Sequence, residues 1–196
     1  PKDNYNYPSD KTITVGVPVS SDFAPVDNTL VAQYKREAGI DPSSNVVFVT
    51  GGGMGAQRLN NAMVGIAPDL IRENSQLIIV HSTGHKHERD VVSLYDHALT
   101  NPKDRDRVIV KGFIDDLYKY SAMADVIVCR AGATNIAEFA SQHKACIIVP
   151  NPKLAGGHQV KNAEYLASKD AAIMVDDDSL ETTPEMLKTA IEEALS

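Results

Sequence analysis

The stretch 126–138 carries residue types that suit a ligand with both phosphate and sugar groups. Its β-branched run at 126–128 is typical of a buried parallel strand. Thr134 or Asn135 is predicted to cap the following helix, whose N-terminus would offer free N–H groups and partial positive charge to an anion. Glu138 suits sugar hydroxyls, which donate hydrogen bonds that a carboxylate accepts. The alternative is a ligand-free corner in which Glu138 only interacts favourably with the helix dipole.

A glycine loop, GGGMGA at 51–56, follows another predicted strand and opens a helix. Gly51, Gly53 and Ala56 satisfy the loose G-x-G-x-x-G/A pattern, in which the backbone can approach a diphosphate closely. A dinucleotide-binding fold would also place an acidic residue at the end of its second strand, where this chain has His81. No Gly-Lys-Ser/Thr follows the loop, so it is not a P-loop. The alternative is a tight turn without a ligand.

The segment GFIDD at 112–116 also follows a predicted strand. Phe113 and Ile114 could wall a flat base while their backbone groups read its edge. In the alternative, both side chains belong to the core and Asp115 caps the next helix.

The loop at 151–158 contains two adjacent glycines and leads into a helix that carries His158, Gln159 and Asn162. An imidazole and amides at the carboxyl edge of a sheet suit the neutral hydroxyls of a ligand better than they suit a charged phosphate. The alternative is a flexible surface loop with a capping side chain.

Composition excludes several classes of protein. The 196 residues carry a net charge of −7 and no basic run, which argues against broad nucleic-acid binding. Cys129 and Cys146 are expected to be buried free thiols in a reducing cytosol. The cluster HSTGHKH at 81–87 lacks helical metal-pair spacing, so no metal is expected. We find no apolar run that could span a bilayer and no signal peptide. Because the chain opens with Pro1, we expect a fragment of something longer.

Short apolar runs alternate with amphipathic stretches from residue 45 onward. Strands are predicted at 45–50, 76–81, 107–110, 126–128, 145–149 and 171–175, and helices at 56–72, 85–99, 115–124, 135–142, 158–168 and 184–195. An earlier helix, capped by Asp27 or Asn28, closes near Gly39, and Pro68 is expected to split or kink the helix that contains it. The pattern predicts an α/β fold, a Rossmann-like parallel sheet with helices on both faces. Residues 1–20 are predicted to be a linker or hinge and residues 21–196 a single domain.

Four segments in this order and spacing resemble the C-terminal half of the family 28 glycosyltransferases: GGGMGA at 51–56, GFIDD at 112–116, CRAGATNIAE at 129–138 and GGHQVKNA at 156–163. The resemblance covers nearly the whole chain from about Val15. It is strongest to members that transfer N-acetylglucosamine from UDP-N-acetylglucosamine to a membrane lipid intermediate of peptidoglycan. It implies a GT-B architecture and a cytoplasmic enzyme peripheral to the inner face of the cell membrane.

The resemblance also implies a set of donor-binding residues. The glycines would lie against the diphosphate, and the backbone of Ile114 would contact uracil. The first turn of the helix at 135–142 would lie by the diphosphate and nucleoside, with Glu138 on the ribose hydroxyls, and the segment 158–162 would face N-acetylglucosamine. The set is Gly51, Gly52, Gly53, Gly55, Ile114, Ala133, Thr134, Asn135, Glu138, His158, Gln159 and Asn162.

Two residues depart from the family's pattern. Gly53 stands where the family commonly has Ser, and Ser20 stands where it commonly has Arg after the Gly-x-Pro-x segment. Both changes remove phosphate contacts, each worth about 1.5–3 kcal/mol if charge-assisted. We therefore expect either weak donor affinity or a different substrate.

The mechanism implied by the resemblance is an inverting transfer without a metal or cofactor. Helix dipoles and N–H donors would stabilise the leaving UDP. The general base, the acceptor site and the membrane surface would belong to an N-terminal acceptor domain, so this chain is expected to carry no catalytic residue and to bind donor without turnover. Three alternatives are the donor half of another lipid or glycan UDP-glycosyltransferase, a sugar-nucleotide epimerase, and a non-catalytic nucleotide-binding subunit.

Overall fold

A six-stranded parallel sheet forms the centre of the computed structural model, which describes residues 8–13, 15–52, 56–153 and 157–196. The strands are β1 (Asn45–Thr50), β2 (Leu77–Ser82), β3 (Val108–Lys111), β4 (Val126–Cys129), β5 (Ala145–Ile148) and β6 (Ile173–Met174). Their order across the sheet is β3-β2-β1-β4-β5-β6. The helices are α1 (Asn28–Glu37), α2 (Gln57–Glu73), α3 (Glu88–Ala98), α4 (Pro102–Arg105), α5 (Leu117–Met123), α6 (Ala133–Ser141), α7 (His158–Ala167), α8 (Ser179–Thr182) and α9 (Glu185–Leu195).

Helices cover both faces of the sheet, as predicted. Val47 and Val49 of β1 point into a core formed with α2, α3, α8 and α9. Val46 and Phe48, which alternate with them, point into a second core formed with α1, α5, α6 and α7. Side chains of a strand alternate between faces, so one apolar run serves both cores.

The order of the strands creates a crevice between β1 and β4. From β1 the chain proceeds outward through β2 to β3, and then returns to the other side of β1 as β4. Thr50 and Cys129, the last residues of these strands, are register partners. The segments that follow them lead into α2 and α6, which lie on opposite faces. Ligands of open α/β sheets bind at such a reversal, outside the carboxyl ends of the strands.

Several local predictions need correction. The helix α2 continues through Pro68 as one element, so the predicted split is wrong; its long buried face holds it against the sheet. The N-cap of α6 is Gly132, so Thr134 and Asn135 lie within the first turn and do not cap it. Within the predicted linker, Ser9–Lys11 forms one 3-10 turn. The helix α1 begins as expected, since the Asp27 carboxylate accepts from the Leu30 N–H at 2.8 Å.

A fully buried polar group at the end of β2 joins that strand to two helices. His81 lies between the Tyr95 hydroxyl, 2.9 Å from Nδ1, and Asn60 Oδ1, 3.1 Å from Nε2. Asn60 also donates to the Thr83 carbonyl at 3.0 Å. Burial lowers the pKa of His81 to about 3, so the ring is neutral and serves the core. This side chain is therefore unavailable to a ligand at the surface.

Candidate functional site

The helix α6 presents a polar face beside its free N-terminus. Thr134, Asn135 and Glu138 are spaced by three and four residues, which places them on one side of the helix. The N–H groups of the first turn, beginning at Ala133, have no acceptor within the helix. Gly132 precedes them, and the space where its Cβ would lie is open. The arrangement offers N–H donors and a carboxylate within one turn of each other.

Glu138 is the acidic group of this face. Its side chain is half-buried, and burial raises the pKa of its carboxyl above the usual value. No described side chain donates a hydrogen bond to it or pairs with it. A partly desolvated carboxylate without a partner has a strong tendency to accept hydrogen bonds from a ligand.

The glycine loop begins beside α6, at the end of β1. Gly52 has a φ of +79°, a conformation that glycine adopts without strain, and its N–H donates to Thr50 Oγ1 at 3.2 Å. Gly51 and Gly52 are both half-buried. Gly53 and Gly55, which were predicted to contact the diphosphate, lie outside the described residues. No side chain caps the start of α2, and its first N–H groups have no acceptor within the helix.

The segment after β3 divides its roles between side chain and backbone. The Ile114 side chain is buried in the second core, as the alternative interpretation of this segment holds. Within the described residues, neither its N–H nor its carbonyl forms a backbone hydrogen bond. Phe113 is 48% exposed and does not belong to the core. Ile114 can therefore offer one donor and one acceptor to a ligand without disturbing its packing.

The helix α7 is attached to the neighbouring loops by two of the predicted site residues. Gln159 Oε1 accepts from the Asn151 N–H at 2.9 Å, and Asn162 Nδ2 donates to the Ala131 carbonyl at 3.2 Å. His158, the first residue of α7, is exposed. The Asn162 bond holds the start of α7 against the turn between β4 and α6. The structure thus brings these two predicted segments into direct contact.

All four predicted segments follow strands at the same edge of the sheet. The glycine loop and the start of α6 flank the crevice between β1 and β4, and α7 lies beside α6. The segment that contains Ile114 follows β3, two strands from β1 on the other side. A ligand that contacts all of them must extend along the edge, as a molecule with a base, a phosphate group and a sugar does.

Beneath this edge lies a buried ion-pair group that sequence reasoning missed. Arg130, which directly follows β4, donates to the Val149 carbonyl at 3.2 Å and to the Asp177 carboxylate. Asp177 also accepts from Arg58 of α2 at 2.9 Å. The side chains of Arg130 and Asp177 are only 10% and 4% exposed. The group connects the starts of α2 and α6, which flank the crevice, to the segment after β6. The run of three aspartates at 176–178 after a strand was a signal for it.

Other features of the described residues bear on the predicted chemistry. They contain no group of three or more His, Cys, Asp and Glu side chains that could hold a metal ion. Cys129 is buried and Cys146 is half-buried, and both are free thiols. No helix in this part of the chain is long and apolar enough to cross a membrane. The predicted boundary at residue 20 stays a prediction.

Comparison with known proteins assigns the chain to a family. The model of the glycosyltransferase family 28 C-terminal domain matches residues 46–196. A UDP-N-acetylglucosamine--N-acetylmuramyl-(pentapeptide) pyrophosphoryl-undecaprenol N-acetylglucosamine transferase from Geotalea daltonii is 38% identical over 169 residues, which are 86% of this chain and 43% of the relative. The Bacteroides fragilis protein of the same name is 32% identical over 186 residues, 95% of this chain and 47% of the relative. The chain thus spans about half the length of these relatives.

Solved structures agree with this result. Acinetobacter baumannii MurG superposes with a TM-score of 0.65 and 29% identity, over 79% of this chain and 44% of that one. WaaG, a glycosyltransferase of lipopolysaccharide biosynthesis, superposes with a TM-score of 0.64 and 16% identity, over 98% of this chain and 50% of the other. The second likeness shows the shared GT-B-type fold alone. From the family model and the relatives together, the chain belongs to the glycosyltransferase family 28 C-terminal domain family.

Proposed function

We propose that this chain is the donor-binding half of a glycosyltransferase that transfers N-acetylglucosamine from UDP-N-acetylglucosamine to a lipid-linked acceptor of peptidoglycan synthesis. The relatives named above carry this activity in their names. The observation that carries the proposal is Glu138, a half-buried carboxylate with no partner among the described residues, one turn from a helix N-terminus at the crevice. This combination suits a ribose next to a diphosphate.

Each predicted segment has a role in the proposed complex. The N–H groups at the start of α6 and the glycine loop bind the diphosphate, and Glu138 accepts from the ribose hydroxyls. The backbone of Ile114 pairs with the edge of uracil. These groups also stabilise the charge that develops on UDP as the glycosidic bond breaks, so the transfer needs no metal in this proposal.

The amides of α7 are proposed to recognise the sugar through one hydrogen-bond donor and one hydrogen-bond acceptor. Gln159 already uses its carbonyl oxygen and Asn162 its amide nitrogen in bonds to the backbone. The atoms that remain are a donor on Gln159 and an acceptor on Asn162. A sugar hydroxyl both donates and accepts, so this pair suits neutral hydroxyls, and His158 beside it adds a further polar contact.

Catalysis is proposed to require a second half. The general base and the acceptor site belong to an N-terminal domain that works at the inner face of the cell membrane. The 196-residue chain is then expected to bind the donor without transferring the sugar. Turnover by this chain alone, at a rate near that of a full-length relative, would contradict the division of roles.

The test is calorimetric titration of the chain with UDP-N-acetylglucosamine, UDP-glucose and NAD. We expect the first to bind, and Glu138→Gln to weaken its binding about 10- to 150-fold, because hydrogen bonds to a charged group are lost. Glu164→Gln, which changes an exposed glutamate on α7, is the matched control and should leave the affinity unchanged. Preferential NAD binding, or equal affinities of the Glu138 and Glu164 variants, would refute the proposal. Preferential binding of UDP-glucose would keep the fold and the site but change the substrate.

A further inference from the structure

The loop between β2 and α3, together with the first residue of α3, contacts three successive residues, from Lys111 at the end of β3 to Phe113. The Thr83 N–H donates to the Lys111 carbonyl at 2.9 Å. Glu88, the first residue of α3, packs over the next residue, Gly112, so closely that an added Cβ there would come within 2.5 Å of its carboxylate. The following residue, Phe113, is contacted by His85 of the same loop. These three contacts lie immediately before Ile114 in the chain.

The contact between His85 and Phe113 is a stack of two exposed aromatic rings. Their centroids are 5.3 Å apart and their planes differ by 19°. Phe113 is 48% exposed, and the core of the protein does not hold its ring in place. The stack with His85 holds the Phe113 ring instead, because a stacked aromatic pair favours one relative orientation of the two rings.

We propose that His85 is a positioning residue for nucleobase recognition, a role that rests on the proposed donor site. By stacking on Phe113, it holds the phenyl ring as the outer wall of the place where a pyrimidine pairs with the backbone of Ile114. The side chain of His85 acts through Phe113 and not on the phosphate or the sugar. Loss of the ring at position 85 therefore weakens the base contribution to binding and leaves the rest of the site intact.

The experiment compares UMP with ribose-5-phosphate, which shares the ribose and phosphate and lacks the base. Both are titrated into the 196-residue chain and followed by NMR, and UDP-N-acetylglucosamine is titrated in parallel. In His85→Ala, we expect the affinity for UMP divided by the affinity for ribose-5-phosphate to fall about 2- to 10-fold. The affinity for UDP-N-acetylglucosamine should fall by the same factor. His85→Tyr keeps a stacking ring and should retain the wild-type ratio.

The matched control is His97→Ala, which removes an exposed imidazole at the other end of α3, where its Nδ1 lies 2.6 Å from the Ser93 carbonyl. The proposal is overturned if His85→Ala weakens UMP and ribose-5-phosphate equally, or if His85→Tyr loses as much as His85→Ala. An unchanged His85→Ala variant of a chain that binds UDP-N-acetylglucosamine overturns this inference alone. A wild-type chain that binds UMP no better than ribose-5-phosphate overturns both this inference and the uracil contact of the donor site.

Discussion

The ion pair between Arg130 and Asp177 offers the sharpest test of how this edge of the sheet is held together. Asp177→Asn keeps the shape of the side chain and removes its charge. Arg130, whose side chain is only 10% exposed, then retains the Val149 carbonyl as a partner and has no described carboxylate. Breaking a buried pair by removing one partner costs about 3–5 kcal/mol, because an uncompensated charge stays in the interior.

The assay is urea unfolding at neutral pH with the free energy extrapolated to water, together with the melting temperature. Each kcal/mol lowers the melting temperature of a chain of this size by about 2–4 °C. The matched control is Asp178→Asn, since Asp178 contacts the same Arg58 at 2.9 Å but its side chain is 80% exposed. Water solvates the Asp178 carboxylate, and Arg58 keeps Asp177 and Glu181 as partners, so the loss of stability should be much smaller.

A double variant separates charge from packing. Arg130→Met with Asp177→Leu replaces the pair by apolar side chains of similar size, and Arg58 keeps Asp178 and Glu181 as partners. Such replacements of buried pairs are often neutral, so the double variant should recover most of the stability that Asp177→Asn loses. If Asp177→Asn is no less stable than Asp178→Asn, the buried pair does not stabilise this edge and the reasoning fails.

Three further predictions concern titratable groups that are buried or half-buried. Tyr95→Phe removes the hydroxyl 2.9 Å from His81 Nδ1 and should lower the free energy of unfolding by about 1–3 kcal/mol in a urea titration. Tyr165→Phe, at an exposed position, is the control and should change the free energy of unfolding little. Because the pKa of His81 falls from 6.5 to about 3 on folding, the unfolded chain takes up a proton in this interval and stability is lost as the pH drops through it. His81→Gln should flatten the dependence by about 1.4 kcal/mol per pH unit, and an unchanged slope would contradict the assignment. Burial raises the pKa of Glu138, so its ionised form costs stability at neutral pH. Glu138→Gln should therefore unfold at a higher urea concentration than the wild type, although it binds the donor more weakly. A lower urea midpoint would show that Glu138 stabilises the fold.

The strands and the long helices were predictable because their signals are local. The run NVVFVT at 45–50 is apolar on both faces and became β1 with the predicted bounds. The amphipathic stretch that became α2 outweighed the proline within it. The four-residue helices α4 and α8 were missed, because one turn is too short to show a hydrophobic period. The cap of α6 was misplaced by two or three residues, since a glycine can occupy that position without a capping hydrogen bond.

The site was predictable only in part, for a different reason. Residues that follow strand ends could be assigned to one edge from the alternation of strands and helices, and the segments that contain Ile114, Glu138 and Asn162 do follow strands β3, β4 and β5. Their roles in binding stay predictions. The contacts among them depend on residues far apart in the chain. Asp177 is separated from Arg130 by 47 positions and from Arg58 by 119, and no local pattern relates them.

Binding and folding are hard to separate at α7, because its predicted site residues also form bonds to the backbone. Each of its two amides uses one polar atom in a bond to the backbone, and the other atom is the one assigned to the sugar in the proposed complex. An alanine at position 159 or 162 removes both atoms together, so weaker binding in that variant would not distinguish a lost sugar contact from a displaced helix. Glu138 and His85 are better probes, because within the described residues the first carries no hydrogen bond of the fold and the second contacts an exposed ring. The residues that test the site most cleanly are therefore those whose side chains the fold uses least.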